Sequence, residues 1–445
     1  MLDKKLKFIV FTEYGEILDL AIHLSKVEGH EVKVFIDSRD YKNVGEGIVE
    51  KEKEWFKLLG QDYTWCIDSC DYGEFQDWLR SKGEAVFGGS KQGDKLENDR
   101  QLGQKWFVSA GFKQPFSKNF KDIEEAIKFV TENKQKRWIL KQNADAPKSI
   151  NHMGKFEGSE DMLFHLDELK KKWNEPEFGK FDCDLMEIVE GLEIAASVFF
   201  NGKDYMKNSQ GKVVGYLNFE EKKEADGGLG EVCGEMGTTF MGVTEDDPVF
   251  KEILIRTKIL EVLRASKFRG VFDINCIKTK GGMVALEPTC RFGVPGGSYE
   301  FIEGLGMNTG ELLYSVARGL DVPVEVKQTV GMVMVIAAKP FPVEANVEPE
   351  GTSIGEKLWI LERGKPNKDL TPEQWKHIHL YNFKKDDDNY LVATKNGYLL
   401  TVTGAGKNIP QVRENLIQYI KDNIYIPGMK YRHDIGKRVE DYYKK

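Results

Sequence analysis

Short apolar runs alternate with amphipathic stretches along residues 6–90, and the alternation predicts strands separated by helices. LKFIVFT, EVKVFI, TWCID and EAVFG carry the runs, while Glu16–Glu28, a helical run through Trp55–Leu59 and Phe75–Lys82 lie between them. That order is the pattern of parallel βαβ units covered by helices, so a doubly wound parallel-sheet domain is expected at the N-terminus. From Gly103 the texture changes. Helices are predicted over Lys121–Asn133 and Asp161–Lys171, with strands at WILKQN and DLMEIVEG. IAASVFFNGKDY joins two apolar runs through Asn201-Gly202, a hairpin signal, and FDINCIKTKGGMVALEP repeats the arrangement through Gly281-Gly282. The last section carries GMVMVIAA, LVATKNGYLLTVTG and a helix with Pro410 at its start, where a proline costs no hydrogen bond. The fold class expected is therefore α/β plus α+β.

Composition narrows the function. The chain of 445 residues is 40% apolar and 31% charged, the balance of a globular enzyme, and its length predicts about two to four domains. A net charge of -8 argues against general binding of nucleic acid, which depends on a basic surface. The 6 cysteines show no C-x-x-C spacing and read as free thiols of a reducing cytoplasm. No segment approaches the roughly 18 apolar residues of a membrane span, and the basic start is too short in its apolar run for a signal peptide. A cytoplasmic protein without membrane or nucleic-acid partners is expected.

Candidate chemistry concentrates in two places. In ALEPTCRFGVPGG, alternation along a strand puts Glu287, Thr289 and Arg291 on one face. A carboxylate, a hydroxyl and a guanidinium together suit Mg²⁺ and phosphate, because magnesium takes few protein oxygens and completes its shell with water and nucleotide. Asp273 and Asn275 share a face of the preceding strand, and either would add a second oxygen ligand across the hairpin. The same pattern also fits an ordinary solvated hairpin with one polar face. In DLMEIVEGLEIAASV, Glu187 and Val189 share a strand face and Glu193 follows a glycine turn, an arrangement able to hold adenine and ribose, or equally a set of surface acids around a turn. Lys141 and Lys148 would meet phosphates as point charges, or face solvent.

The order of short motifs decides among these readings. LENDR (Leu96–Arg100), LKQN (Leu140–Asn143), EIVEGLE (Glu187–Glu193), GEMG (Gly234–Gly237), EPTCRFG (Glu287–Gly293) and YRHDIG (Tyr431–Gly436) follow one another as they do in glycinamide ribonucleotide synthetases (phosphoribosylamine-glycine ligases). The chain thus resembles that family of the ATP-grasp superfamily over most of its length. The resemblance implies an N-terminal α/β domain over residues 1–95. It implies an ATP-grasp domain over 96–322, with a small lid at about 115–185, and a C-terminal α+β domain over 323–445. It implies ATP and Mg²⁺ (or Mn²⁺), with Arg100 and Lys141 on the nucleotide, Glu187 and Val189 at adenine, and Glu193 at ribose. Metal would fall to Glu287, Thr289, Asp273 and Asn275, and catalysis to Arg291 and Lys148. A carboxylate would attack the γ-phosphate of ATP to give an acyl phosphate, and an amine would then displace phosphate; positioning and charge neutralisation carry such chemistry. Partners would be small-molecule substrates, glycine or another carboxylate and an amine acceptor, on a monomer or small homo-oligomer.

The departures from the family are not scattered at random. The family's glycine-rich turn after the first strand, an anion-binding device, is here TEYGE, with Glu13 and Glu16. Val294 and Gly296 replace two expected acids, the loop after Lys141 is NADAPKS, and Thr289 stands for an asparagine. The expectation is an enzyme that forms glycinamide ribonucleotide with its acceptor phosphate held outside the TEYGE turn. The alternatives are a ligase for a different carboxylate and amine, or a nucleotide-binding protein without catalysis.

Overall fold

In the computed structural model, which describes residues 5–142, 151–173, 181–255, 257–293, 299–342, 351–362 and 364–444, strand β1 (Lys7–Thr12) is the centre of a parallel sheet. Its partners are β2 (Glu31–Ile36) and β4 (Thr64–Ile67), with β3 (Glu50–Lys51) and β5 (Ala85–Phe87) outside them, in the order β3-β2-β1-β4-β5. After Lys7, every residue of β1 is buried, as a parallel strand covered on both faces requires. Phe8 and Val10 pack with Leu18 and Leu20 of helix α1 (Leu18–Ile22), while Ile9 and Phe11 pack on the other face with Trp65 and with Leu79 of α2 (Gly73–Ser81). The helix expected over Glu16–Glu28 begins only at Leu18, because Glu16 belongs to the preceding turn. It widens over His23–Val27, where the Glu28 amide donates to His23 O. The run through Trp55–Leu59 is a single short turn, Trp55–Leu58. Helices α3 (Lys91–Asn98) and α4 (Arg100–Ala110) follow the sheet.

The chain divides into two compact units. The smaller comprises Lys113–Leu192 and Ile277–Val284, and the larger comprises the rest. In the smaller unit β6 (Ser117–Phe120), β7 (Trp138–Gln142), β8 (His152–Met153) and β9 (Cys183–Glu187) form an antiparallel sheet ordered β6-β9-β7-β8. Helices α5 (Ile123–Glu132) and α6 (Glu160–Lys172) bury Val130 and Leu166 against Trp138, Leu140 and Leu185. The Asp122 carboxylate caps α5 by accepting from the amides of Glu124 and Glu125, satisfying donors that have no partner in the first helical turn.

The larger unit holds an eight-stranded sheet. Its strands are β10 (Leu192–Phe200), β11 (Val214–Glu220), β14 (Gly237–Thr244), β15 (Gly270–Thr279), β16 (Gly282–Thr289), β17 (Val330–Ala337), β20 (Ile378–Leu380) and β23 (Tyr398–Gly406), ordered β16-β15-β10-β11-β14-β17-β23-β20. A short hairpin, β12 (Lys223–Ala225) and β13 (Leu229–Val232), projects after β11 with Leu229 and Val232 exposed. A small sheet of β18 (Lys357–Glu362), β19 (Lys365–Asn367), β21 (Phe383–Asp386), β22 (Asn389–Val392) and β24 (Ile424–Tyr425) completes the last third. The Asn201-Gly202 turn does not join β10 to its partner directly. It closes a single bridge, Phe200 to Tyr205, and a second turn at Asn208–Gly211 intervenes before β11. Residues Leu24 and Val34 share one apolar core with Val402, Leu416 and Ile435, so the N-terminal sheet and the final strands fold together. Among the described residues no helix is long and apolar enough to cross a membrane.

Candidate functional site

Four adjacent strands of the large sheet present polar side chains at one place. Glu193 stands on β10, Glu220 ends β11, Asn275 is on β15, and Glu287 and Thr289 are on β16. Lys222, two residues past β11, gathers the carboxylates: its Nζ lies 2.7 Å from Glu193 Oε1, 3.3 Å from Glu220 Oε2 and 3.5 Å from Glu287 Oε1. Burial would lower the Lys222 ammonium, but Glu220, Glu193 and Glu287 raise it well above the usual lysine range. Glu220 is raised by burial, and Glu235, beside the Thr238 hydroxyl, more strongly so. Asp273 is pushed up to about 7 by burial, with Glu220 adding to it. Its Oδ2 accepts from Asn218 Nδ2 at 3.1 Å, while Oδ1 is buried with no hydrogen-bond partner among the described residues.

This donor set fits magnesium. Among the described residues no three acidic, histidine or cysteine side chains are already arranged around one metal position. A nucleotide-borne Mg²⁺ needs only one or two carboxylates, and the excess negative charge here is compensated by a single ammonium. Glu287, Asn275 and Thr289 line the same cavity as Glu220, a residue that sequence reasoning overlooked. Asp273 stands behind them, bonded to Asn218.

That cavity has a volume of about 760 Å³ and lies wholly in the larger unit. Arg291 enters it from beyond the end of β16, outside the strand on which alternation had placed it. Glu97 on α3 aims the guanidinium instead: Nε donates to Glu97 Oε1 at 2.9 Å, and Nη1 donates to Phe292 O at 3.0 Å. The two thiols lining the cavity are held protonated, Cys70 pushed up to about 12 and Cys233 to about 11, in both cases by burial first. Neither supplies a thiolate nucleophile at neutral pH.

The opposite wall is made by the TEYGE turn. Gly15 takes φ +91°, and a Cβ there would meet Val44 Cγ1 at 2.8 Å, so only glycine fits. Its amide donates to Thr12 Oγ1 at 2.9 Å, and the Thr12 hydroxyl donates to Asp68 Oδ2 at 2.6 Å. Glu13, Glu16, Ser69 and Asp71 line the cavity here. Burial raises Glu16, and Asp68 and Glu13 raise it further against the pull of Arg291. Where the family resemblance expects an anion-binding turn, the fold presents carboxylates.

The remaining expected residues separate. Glu187, Val189 and Lys141 belong to the smaller unit. Glu187 ends β9 and pairs with Lys136 at 2.6 Å; Val189 lies past the strand, so the two do not share a strand face. Lys141, half-buried on β7, pairs through its backbone with Asp184. Lys148 and the side chain of Arg100 lie outside the described residues, as do Val294 and Gly296. In YRHDIG, Arg432 is 2% exposed and directs Nε and Nη2 to Asp434 and Nη1 to Lys223 O, while Asp434 accepts from the Gly227 amide. The motif therefore fastens the β12–β13 hairpin, and none of it lines the cavity.

No family model matches the chain. A phosphoribosylamine-glycine ligase of Helicobacter pylori is 25% identical over 381 residues, covering 82% of this chain and 79% of the relative. The crystal structure of phosphoribosylamine-glycine ligase from Thermotoga maritima superposes with a TM-score of 0.68 over 96% of this chain and 99% of the other, at 18% identity. Biotin carboxylase of Campylobacter jejuni, in complex with β,γ-ATP, superposes with a TM-score of 0.60 over 98% and 94%, at 13% identity. The chain thus resembles phosphoribosylamine-glycine ligases in sequence and shares a fold with them and with biotin carboxylase.

Proposed function

We propose that this protein is an ATP-dependent ligase that joins a carboxylate to an amine. The observation that carries the reading is the set of three glutamates on Lys222, facing Arg291 across one cavity, in a fold shared with phosphoribosylamine-glycine ligase. Magnesium would be held by Glu287, with Asn275, Thr289 or Glu220 beside it, and would supply neutralisation of the phosphate charge. Lys222 and Arg291 are the cations that line the cavity among the described residues, so the transferred phosphate and the substrate carboxylate belong near them. Glu193, held by Lys222, keeps the role at ribose that the resemblance implies. Asp273, bonded to Asn218 and near Glu220 and Glu287 in charge, would support the metal position electrostatically.

The chemistry needs no protein nucleophile. A substrate carboxylate oxygen attacks the γ-phosphorus, ADP leaves, and the amine then attacks the acyl carbon as phosphate departs with the bonding pair. Glycine and phosphoribosylamine, named in the relatives, are the first pair to try. The test is ADP release by the purified full chain with Mg²⁺ and ATP, against a panel of carboxylates with and without amines. ADP release that requires a carboxylate, and is lost in Glu287→Gln, supports the reading. Absence of carboxylate-dependent ADP release overturns it.

A further inference from the structure

The two cations that line the cavity among the described residues are already engaged, Lys222 by three glutamates and Arg291 by Glu97. On the turn side Glu13, Glu16 and Asp71 reach the same space, with Asp68 buried behind them, and the cation whose charge reaches Glu16 and Asp68 is Arg291, already held by Glu97. Neutral groups complete it: Tyr381, Asn382, Asn396 and Tyr398, the last with a buried hydroxyl that has no hydrogen-bond partner among the described residues. A phosphate dianion entering here would lose its hydration to a wall that repels it, whereas an ammonium would exchange water for carboxylates. The substrate carboxylate, itself an anion, is driven by the same repulsion toward Arg291.

Resting on the ligase reading above, we propose that the acceptor is a small, polar, non-phosphorylated amine, which enters as an ammonium cation and is held by Glu13, Glu16 and Asp71. The Tyr398 hydroxyl of that wall hydrogen-bonds its uncharged body. Before attack the ammonium gives one proton to the Glu16 carboxylate, whose affinity for a proton is raised by burial and by Asp68. The freed nitrogen lone pair forms the C–N bond as the acyl C–O bond breaks toward phosphate, and the second proton of the nitrogen leaves with the departing phosphate. Glu16 is thereby a catalytic residue, and Asp68, which accepts from the hydroxyls of Thr12 and Ser69, a positioning one.

The test uses two probes that differ only by a phosphate, glucosamine and glucosamine 6-phosphate, titrated calorimetrically into the full chain in the presence of MgADP. Glucosamine is expected to bind at least tenfold more tightly. Glu16→Gln should bring the two within about threefold while leaving MgADP affinity unchanged, a split that a merely structural role would not produce. Glu13→Gln, at a half-exposed position, shifts the preference in the same direction and serves if the Glu16 variant folds poorly. Tighter or equal binding of the phosphorylated probe, or binding of neither, overturns the proposal. Because binding is read without turnover, its outcome is independent of ADP release, whose absence would sink only the ligase reading.

Discussion

The two walls of the cavity are built from the same residue type and differ in how its charge is met. On the sheet wall, Glu193, Glu220 and Glu287 converge on one ammonium, an arrangement whose net negative charge invites a further cation. On the turn wall the cation that reaches Glu16 is Arg291, itself held by Glu97, and burial with repulsion from Asp68 and Glu13 raises the proton affinity of Glu16 against it. On the reading proposed above, a carboxylate would serve as a metal ligand or as a proton acceptor according to its neighbours, not its identity.

The largest expected effect tests the sheet wall. Glu287→Gln keeps the shape of the side chain and removes its charge, and turnover should fall roughly a hundredfold or more, read as the initial rate of ADP release at saturating ATP. Full activity would remove Glu287 from the metal site.

Lys222→Met strikes at the compensation itself. Three glutamates would lose their ammonium, and urea unfolding should show a loss of about 2 kcal/mol, less than for a fully buried pair because Lys222 keeps 28% of its side-chain exposure. Added Mg²⁺ should recover part of that loss in the variant and little in the parent protein. A loss unaffected by Mg²⁺ would mean that the glutamates do not form a cation site.

Thr289→Ala is expected to lower turnover only by about threefold, because water replaces a hydroxyl ligand at little cost. A loss as large as that of Glu287→Gln would make Thr289 a principal ligand.

The smallest effect is in pH. Asp273 is pushed up to about 7 and Glu300 to about 8, both chiefly by burial. Between the ordinary carboxyl range and these values the folded chain binds protons that the unfolded chain has released, so stability falls as pH rises through that window. The melting temperature should drop by about 3–5 °C from pH 6 to pH 8.5, by calorimetry. Mg²⁺ should raise it more at pH 8.5 than at pH 6, since metal binds the ionised acids. A flat profile would mean that these carboxyls are solvated.

Much of the architecture was legible along the chain, because each element states its own period. EVKVFI alternates over the same residues, Glu31–Ile36, that form β2, and the hairpin expected through Gly281-Gly282 joins β15 to β16 one residue earlier, through Lys280-Gly281. Periodicity failed where a local signal competed with a longer connection, as at Asn201-Gly202, and where a strand ended early, leaving Val189 and Arg291 past β9 and β16.

The sequence by itself determined which residue types were available: a carboxylate and a hydroxyl alternating on β16, and acids in the turn after β1 where an anion-binding turn was expected. Only the tertiary structure decided who neutralises whom. Lys222 sits in EEKKEAD, a charge run that reads as solvated surface until β10, β11 and β16 bring three glutamates to it. Glu97 and Arg291 appear in motifs far apart in the chain, and packing of α3 beside the end of β16 makes them a pair. The reason is that a side chain's period depends on its own backbone, whereas the field at a carboxylate depends on every charge within a few ångströms, from whatever part of the chain the fold supplies it.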